Sequence, residues 1–230
     1  MGVRYRTDGS ELHRYLGRVH RILMLSALLA TTIVGIAQAS PPVADASRLY
    51  APCVVCHQPR AWGSADGNIP SLAGQHRRYL ERQLATFRSG ARDDTAMQIV
   101  AVHSEFKDPN NMLAVAGYLS GLEANPNPVK GSGKQLRMGQ EMYAHICAAC
   151  HGSDGLGQSD ARAPRIAGQH YPYLKRQIES AADLHRVLAP PEMTSALRGM
   201  SAPEKDALAD YISRLGSSEG AGTDSLAAPP

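Results

Sequence analysis

Apolar residues recur along this chain at helical spacing, and they do so in two similar sets. Leu80, Leu84 and Phe87 stand at i, i+4 and i+7, one face of a helix that the pattern places over roughly 75–89. Its counterpart falls over roughly 169–182. Leu208, Ile212 and Leu215 form a second stripe, over roughly 202–215, with Pro203 near its start, where a missing N–H is tolerated. The matching run in the first half is roughly 109–121. Two further helices, roughly 43–57 and 135–151, each run into a short stretch bearing Cys and His. No segment alternates as a half-buried strand does, so the pattern predicts an all-α chain whose stripes are core.

The two sets are an internal repeat with a period of 94 residues: Cys53 recurs as Cys147 and His57 as His151. Pro70-Ser71-Leu72-Ala73-Gly74-Gln75-His76 recurs as Pro164-Arg165-Ile166-Ala167-Gly168-Gln169-His170. Tyr79, Leu80, Arg82 and Gln83 recur as Tyr173, Leu174, Arg176 and Gln177. The organisation predicted is two tandem domains, 40–124 and 134–217. They are joined by a linker, 125–133, in which Pro126, Pro128, Gly131 and Gly133 make a helix unfavourable. The tail 218–230 is small, polar and Pro-ended, and is predicted to be disordered.

Residues 1–39 read as an export signal. A long basic stretch precedes the apolar run Ile22 to Ala37, and Ala37-Gln38-Ala39 fits a small-x-small cleavage site before Ser40. The rival is a retained membrane anchor, for which a run of 16 residues is short against the ~20 that span a bilayer. The segment also corrects the charge. The formal net charge is +3, but Arg4, Arg6, Arg14, Arg18 and Arg21 against Asp8 and Glu11 supply all of that surplus. The remainder is neutral, which argues against nucleic acid as a partner, since its electrostatic footprint is a basic patch or stripe.

All four Cys lie in two short motifs, Cys53-Val54-Val55-Cys56-His57 and Cys147-Ala148-Ala149-Cys150-His151, leaving none for a structural disulfide. C-x-x-C-H is the attachment signature of a c-type haem. Two thiols on one helical turn can each form a thioether to a haem vinyl group, and the adjacent His presents its imidazole to the iron. A zinc knuckle would want further ligands at nearby spacing, and a redox dithiol has no use for the His. Two haems also suit a chain with only 5% aromatic residues, because each supplies a large apolar plate to its domain's core. Their four propionates would make the surface acidic.

An iron with one His has an open face, and what fills it decides between electron transfer and chemistry. Met97 follows His57 by 40 residues and Met193 follows His151 by 42, both in the loop between the second and last helices. A thioether from each would close the site. Met112 and Met200 read as core, and His103 and His185 are rival ligands. From Met97 to Tyr118 is 21 residues and from Met193 to Tyr211 is 18, so the first half carries three extra residues within Val102 to Asn110.

Together, the doubled C-x-x-C-H, the doubled P-x-x-A-G-Q, the Tyr-Leu-x-x-Gln after it and the loop Met resemble the dihaem cytochromes c of the c-four type. The resemblance covers about residues 45–215. It implies two class I cytochrome c domains, each with one covalent haem c attached outside the cytoplasm. It implies that Pro70 and Pro164 lend their carbonyls to His57 and His151. The chain departs from it where Gln58-Pro59-Arg60-Ala61 stands in place of the Gly152-Ser153-Asp154-Gly155 kept in the second half, and where Asp45 is aligned with Gly139. The function implied is a periplasmic electron carrier between a quinol-oxidising complex and a terminal oxidase. Two rivals are a dihaem peroxidase-like enzyme, using His103, Glu105 and Arg92, and a cytochrome subunit docked permanently on a dehydrogenase or oxidase. Peripheral membrane association also fits a retained N-terminal segment.

Overall fold

The computed structural model describes residues 43–216, with residues 160–162 and 187 excepted. The export segment and the tail lie outside the described residues. The first half holds α1 (Val43–Leu49), α2 (Ala51–His57), α3 (Arg77–Arg88), α4 (Thr95–Ala101), a 3-10 turn (Ser104–Lys107) and α5 (Pro109–Ser120). The second holds α6 (Leu136–Met142), a π turn (Tyr143–Cys147), α7 (Ala148–His151), α8 (Tyr171–Ala182), α9 (Pro191–Arg198) and α10 (Ala202–Ile212). Every regular element among the described residues is helical.

Each half packs its last helix across its first and second. In one half α5 crosses α1 and α3; in the other α10 crosses α6 and α8. The stripes face inward as predicted. Leu80, Phe106, Val115 and Leu119 share a core with Tyr50, while Leu174, Ile178, Leu208 and Ile212 share one with Tyr143. Met112 and Met200 are buried core residues. At the α6–α10 crossing a Cβ on Gly139 would lie 2.2 Å from Ala207 O, so only glycine lets these backbones approach so closely.

The helix expected over 43–57 is broken at Tyr50, and the one over 135–151 is continuous but distorted. Pro52 cannot donate a backbone hydrogen bond, so α2 restarts there, with Cys53 N–H bonded to Tyr50 O at 2.9 Å. In the second half Ala148 N–H reaches back five residues to Tyr143 O, a π turn. Tyr50 OH donates to Gln58 O at 2.8 Å, and Tyr143 OH donates to Gly152 O at 2.6 Å. Tyr50 precedes its Cys by three residues and Tyr143 precedes its Cys by four, so the second half carries one extra residue, which the π turn absorbs. Upstream of it the repeat period is therefore 93. Ala46, buried in α1, is the residue opposite Gly139, and the alignment of Asp45 with Gly139 is corrected.

The three extra residues of the first half are taken up at the four-residue 3-10 turn Ser104–Lys107. It drives Phe106 into the core, where Arg88 donates to Phe106 O at 3.1 Å.

Between the halves the contact is polar. The segment 125–133 is helix-free, yet it is held along its length. Asn125 donates to Trp62 O at 3.3 Å, Val129 N–H to His170 Nδ1 at 2.9 Å, and Gly133 N–H to Asp210 Oδ2 at 2.6 Å. A segment so fixed is a strap against both halves, not a free tether.

Candidate functional site

Each C-x-x-C-H motif ends a helix, and the next residue turns the chain sharply. Gly152 (φ 77°) and Gly155 (φ 73°) take the left-handed conformation after α7. After α2 the same turn is made by Gln58 (φ 65°, ψ 163°) and Ala61 (φ 55°), at a cost of roughly 1–3 kcal/mol for each non-glycine residue. The turn is kept despite that cost because it is wired in. Ala61 O accepts from Leu72 N–H (2.8 Å) and Ala73 N–H (3.1 Å), as Gly155 O does from Ile166 (2.8 Å) and Ala167 (3.0 Å).

The turn delivers a proline carbonyl to the histidine ring. His57 Nδ1 lies 2.9 Å from Pro70 O, and His151 Nδ1 lies 3.0 Å from Pro164 O. A carbonyl only accepts, so each Nδ1 carries the proton and each Nε2 keeps its lone pair. Burial holds both rings below the ordinary His value. The carbonyl bond and, for His57, the Asp94 carboxylate pull back; for His151 the Arg186 cation adds to the depression. Both rings are therefore neutral donors for a metal at Nε2.

No disulfide joins the four cysteines; Cys53 and Cys147 are half-buried, Cys56 and Cys150 exposed. Burial, then the neighbouring cysteine, pushes Cys53 and Cys147 up to about 11. A dithiol redox site needs the opposite shift, toward the thiolate. Among the described residues no group of three or more His, Cys, Asp or Glu is placed to hold a metal ion. Two thiols three residues apart beside a His with a free Nε2 fit a covalently tethered haem.

Met97 and Met193 occupy the same place in their halves. Each is the third residue of a short helix, α4 and α9, and each is half-buried. Asp94 caps α4 by accepting from Met97 N–H at 3.0 Å. Met193 packs against the core of Tyr143, Leu174, Ile178 and Leu208, as Cys147, Ala148 and Ile166 also do. The rival ligands His103 and His185 are both exposed. Of the peroxidase-type trio, Glu105 faces Arg48 at 3.9 Å, and Arg92 turns into the interface, donating to Tyr173 OH at 3.1 Å and Gln177 Oε1 at 3.0 Å.

The repeated Pro-x-x-Ala-Gly-Gln-His motif also builds the contact between halves. Gln75 Nε2 donates to Arg165 O (2.7 Å) and Gln169 Nε2 to Ser71 O (2.9 Å). His76 Nε2 lies 2.8 Å from Leu156 O and His170 Nε2 lies 2.6 Å from Trp62 O. Arg186 completes the set by donating to Tyr79 OH and Gln177 Oε1. These interface roles were not read from the sequence. Polar side chains kept at a fixed 94-residue spacing, with no place in an apolar stripe, were the available signal.

Two helical halves, each with a Cys pair and a carbonyl-tethered His, define a dihaem c-type cytochrome. Residues 43–123 and 136–216 each match the cytochrome c family, and the chain belongs to it. The chain is 32% identical over 180 residues to a thiosulfate dehydrogenase electron acceptor of Stutzerimonas stutzeri, covering 73% of this chain and 80% of that one. It is 30% identical over 168 residues to cytochrome c4 of Pseudomonas aeruginosa, covering 68% and 79%. The crystal structure of reduced cytochrome c4 from Pseudomonas stutzeri superposes with a TM-score of 0.65 at 22% identity, covering 76% of this chain and 98% of that one, a likeness of fold. The chain is a dihaem cytochrome c4-like electron carrier with two tandem cytochrome c domains, whose two motifs imply two covalent haem c groups.

Proposed function

We propose that this is an exported electron shuttle in which both irons are closed by His and Met, so that only electrons enter and leave. Cys53 and Cys56 tether the first haem, Cys147 and Cys150 the second. His57 with Met97, and His151 with Met193, are the axial pairs. Pro70 and Pro164 fix the rings. The observation that carries this is the matched geometry of the two halves: the same carbonyl on the same ring nitrogen, at 2.9 and 3.0 Å, and a half-buried Met at the third position of a short helix in each.

A bound haem supplies a one-electron couple, ferrous to ferric, and the residues around it set its potential and its access. A thioether ligand favours the ferrous state and leaves no position for substrate. Burial of His57 and the tie at Nδ1 hold the ring still. Ile99 and Val102 on and just after α4, and Leu184 and Leu188 before α9, are exposed apolar side chains beside the Met-bearing helices, suited to brief docking of a redox partner.

The resemblance favours a quinol-oxidising complex as donor and a terminal oxidase as acceptor. The name of the S. stutzeri relative adds a thiosulfate-oxidising dehydrogenase as donor. Export is carried by residues 1–39, with cleavage before Ser40 releasing the carrier into the periplasm. Among the described residues no helix is long and apolar enough to cross a membrane.

The test uses the purified haem-loaded chain. Reduction by a quinol-oxidising or thiosulfate-oxidising enzyme and re-oxidation by a terminal oxidase are expected, with no carbon monoxide binding to the reduced form. Ready carbon monoxide binding with peroxide turnover would replace this reading with the peroxidase-like one. Intact mass of the exported chain is expected to start at Ser40 and to include two haems.

A further inference from the structure

The bond to each histidine and the bond across the interface meet in one peptide unit. The peptide joining Pro70 to Ser71 is a planar conjugated group. Its carbonyl faces His57 Nδ1 at 2.9 Å, and its N–H donates to Gln169 Oε1, from the other half, at 3.0 Å. The peptide joining Pro164 to Arg165 repeats this. Its carbonyl faces His151 Nδ1 at 3.0 Å, and its N–H donates to Gln75 Oε1 at 3.0 Å.

Both glutamines are locked in the orientation this requires. Gln169 Oε1 also accepts from His170 N–H at 3.0 Å, while its Nε2 donates to Ser71 O at 2.9 Å. Gln75 Oε1 also accepts from His76 N–H at 2.9 Å, while its Nε2 donates to Arg165 O at 2.7 Å. With N–H groups at one end and a carbonyl at the other, neither amide can flip. Both side chains are buried, so water does not compete for these bonds.

We propose that Gln169 and Gln75 are positioning residues that tune the iron-binding histidine of the opposite half. This rests on the reading of His57 and His151 as axial ligands. A peptide N–H that donates shifts density onto its own carbonyl oxygen, because hydrogen bonds in series polarise one another. The carbonyl then draws harder on the Nδ1 proton, and the ring becomes a stronger donor at Nε2. A stronger imidazole donor favours the ferric state and lowers the potential. Each half therefore holds down the potential of the other half's iron, and opening the interface would raise both.

The test is a crossed pair of variants in the haem-loaded chain, Gln169→Leu and Gln75→Leu, with each potential assigned through its own haem methyl signals in the proton NMR spectrum. Gln169→Leu is expected to raise the potential of the N-terminal haem and leave the C-terminal one unchanged. Gln75→Leu is expected to do the reverse. The His57 and His151 Nδ1–H signals are expected to move with the same crossing. A shift confined to the variant's own half, an equal shift of both haems, or no shift would overturn the proposal. If a Leu variant fails to assemble, Gln169→Asn and Gln75→Asn withdraw the acceptor while keeping an amide, and the same crossed pattern, smaller, decides. Haem count and the Met–iron band of the parent are recorded on the same sample. Their loss would fell the axial assignment itself, whereas their presence without crossing would fell only the tuning.

Discussion

At the residue scale the two halves solve one problem with different side chains. The turn after each C-x-x-C-H needs two left-handed residues, and the first half meets it with Gln58 and Ala61. Ala61→Gly is expected to stabilise the haem-loaded chain by about 1 kcal/mol in denaturant titration, through relief of that strain, offset in part by the entropy of the unfolded chain. Gly155→Ala is expected to cost more than that, because its Cβ would add contacts of 2.9 Å to Leu215 Cδ1 and 3.2 Å to Ala167 N to the same backbone strain. His170 has a different vulnerability. Val129 N–H donates to its Nδ1, so the ring must be neutral, and burial holds it below the ordinary His value. A depressed His is fully stabilising above the unfolded pKa of about 6.5 and loses that contribution as pH falls toward the folded value. Unfolding of the haem-loaded chain is therefore expected to become easier below about pH 6.5, and the His170→Gln variant is expected to flatten that slope. An unchanged slope would place the titration elsewhere.

The helices show what was legible beforehand and what was not. The stripes over Leu80, Leu84 and Phe87 and over Leu208, Ile212 and Leu215 located the second and last helices, because helical periodicity is a local property. The π turn was not legible. Its cause is one residue gained between Tyr143 and Cys147, and that shows only once Tyr143 OH is seen on Gly152 O, as Tyr50 OH is on Gln58 O. For the same reason the repeat aligned Gly139 with Asp45, when its counterpart is Ala46. The interface glutamines escaped because their partners lie 90 and 98 residues away, beyond any pattern read along the chain. At the α6–α10 crossing, Gly139→Ala sets a Cβ against the Ala207 carbonyl, which cannot yield as a side-chain tip would. It is expected to cost on the order of 3 kcal/mol and to lower occupancy of the second haem first, read as haem per chain after purification.

For the whole molecule, each half has its own apolar core, and the polar contact between them ends on the two peptides that hold the histidines. Folding of each domain and tuning of its iron are thus separable: the cores secure the first and the exchanged glutamines the second. The account's central claim is that thioethers from Met97 and Met193 close both irons. A spectroelectrochemical titration with a near-infrared scan tests it most directly. Two haems per chain are predicted, both low-spin, with a Met–iron charge-transfer band of two-haem intensity in the oxidised form that disappears in step with reduction. A band at half that intensity, or none, would leave one or both irons with another ligand and would contradict the account.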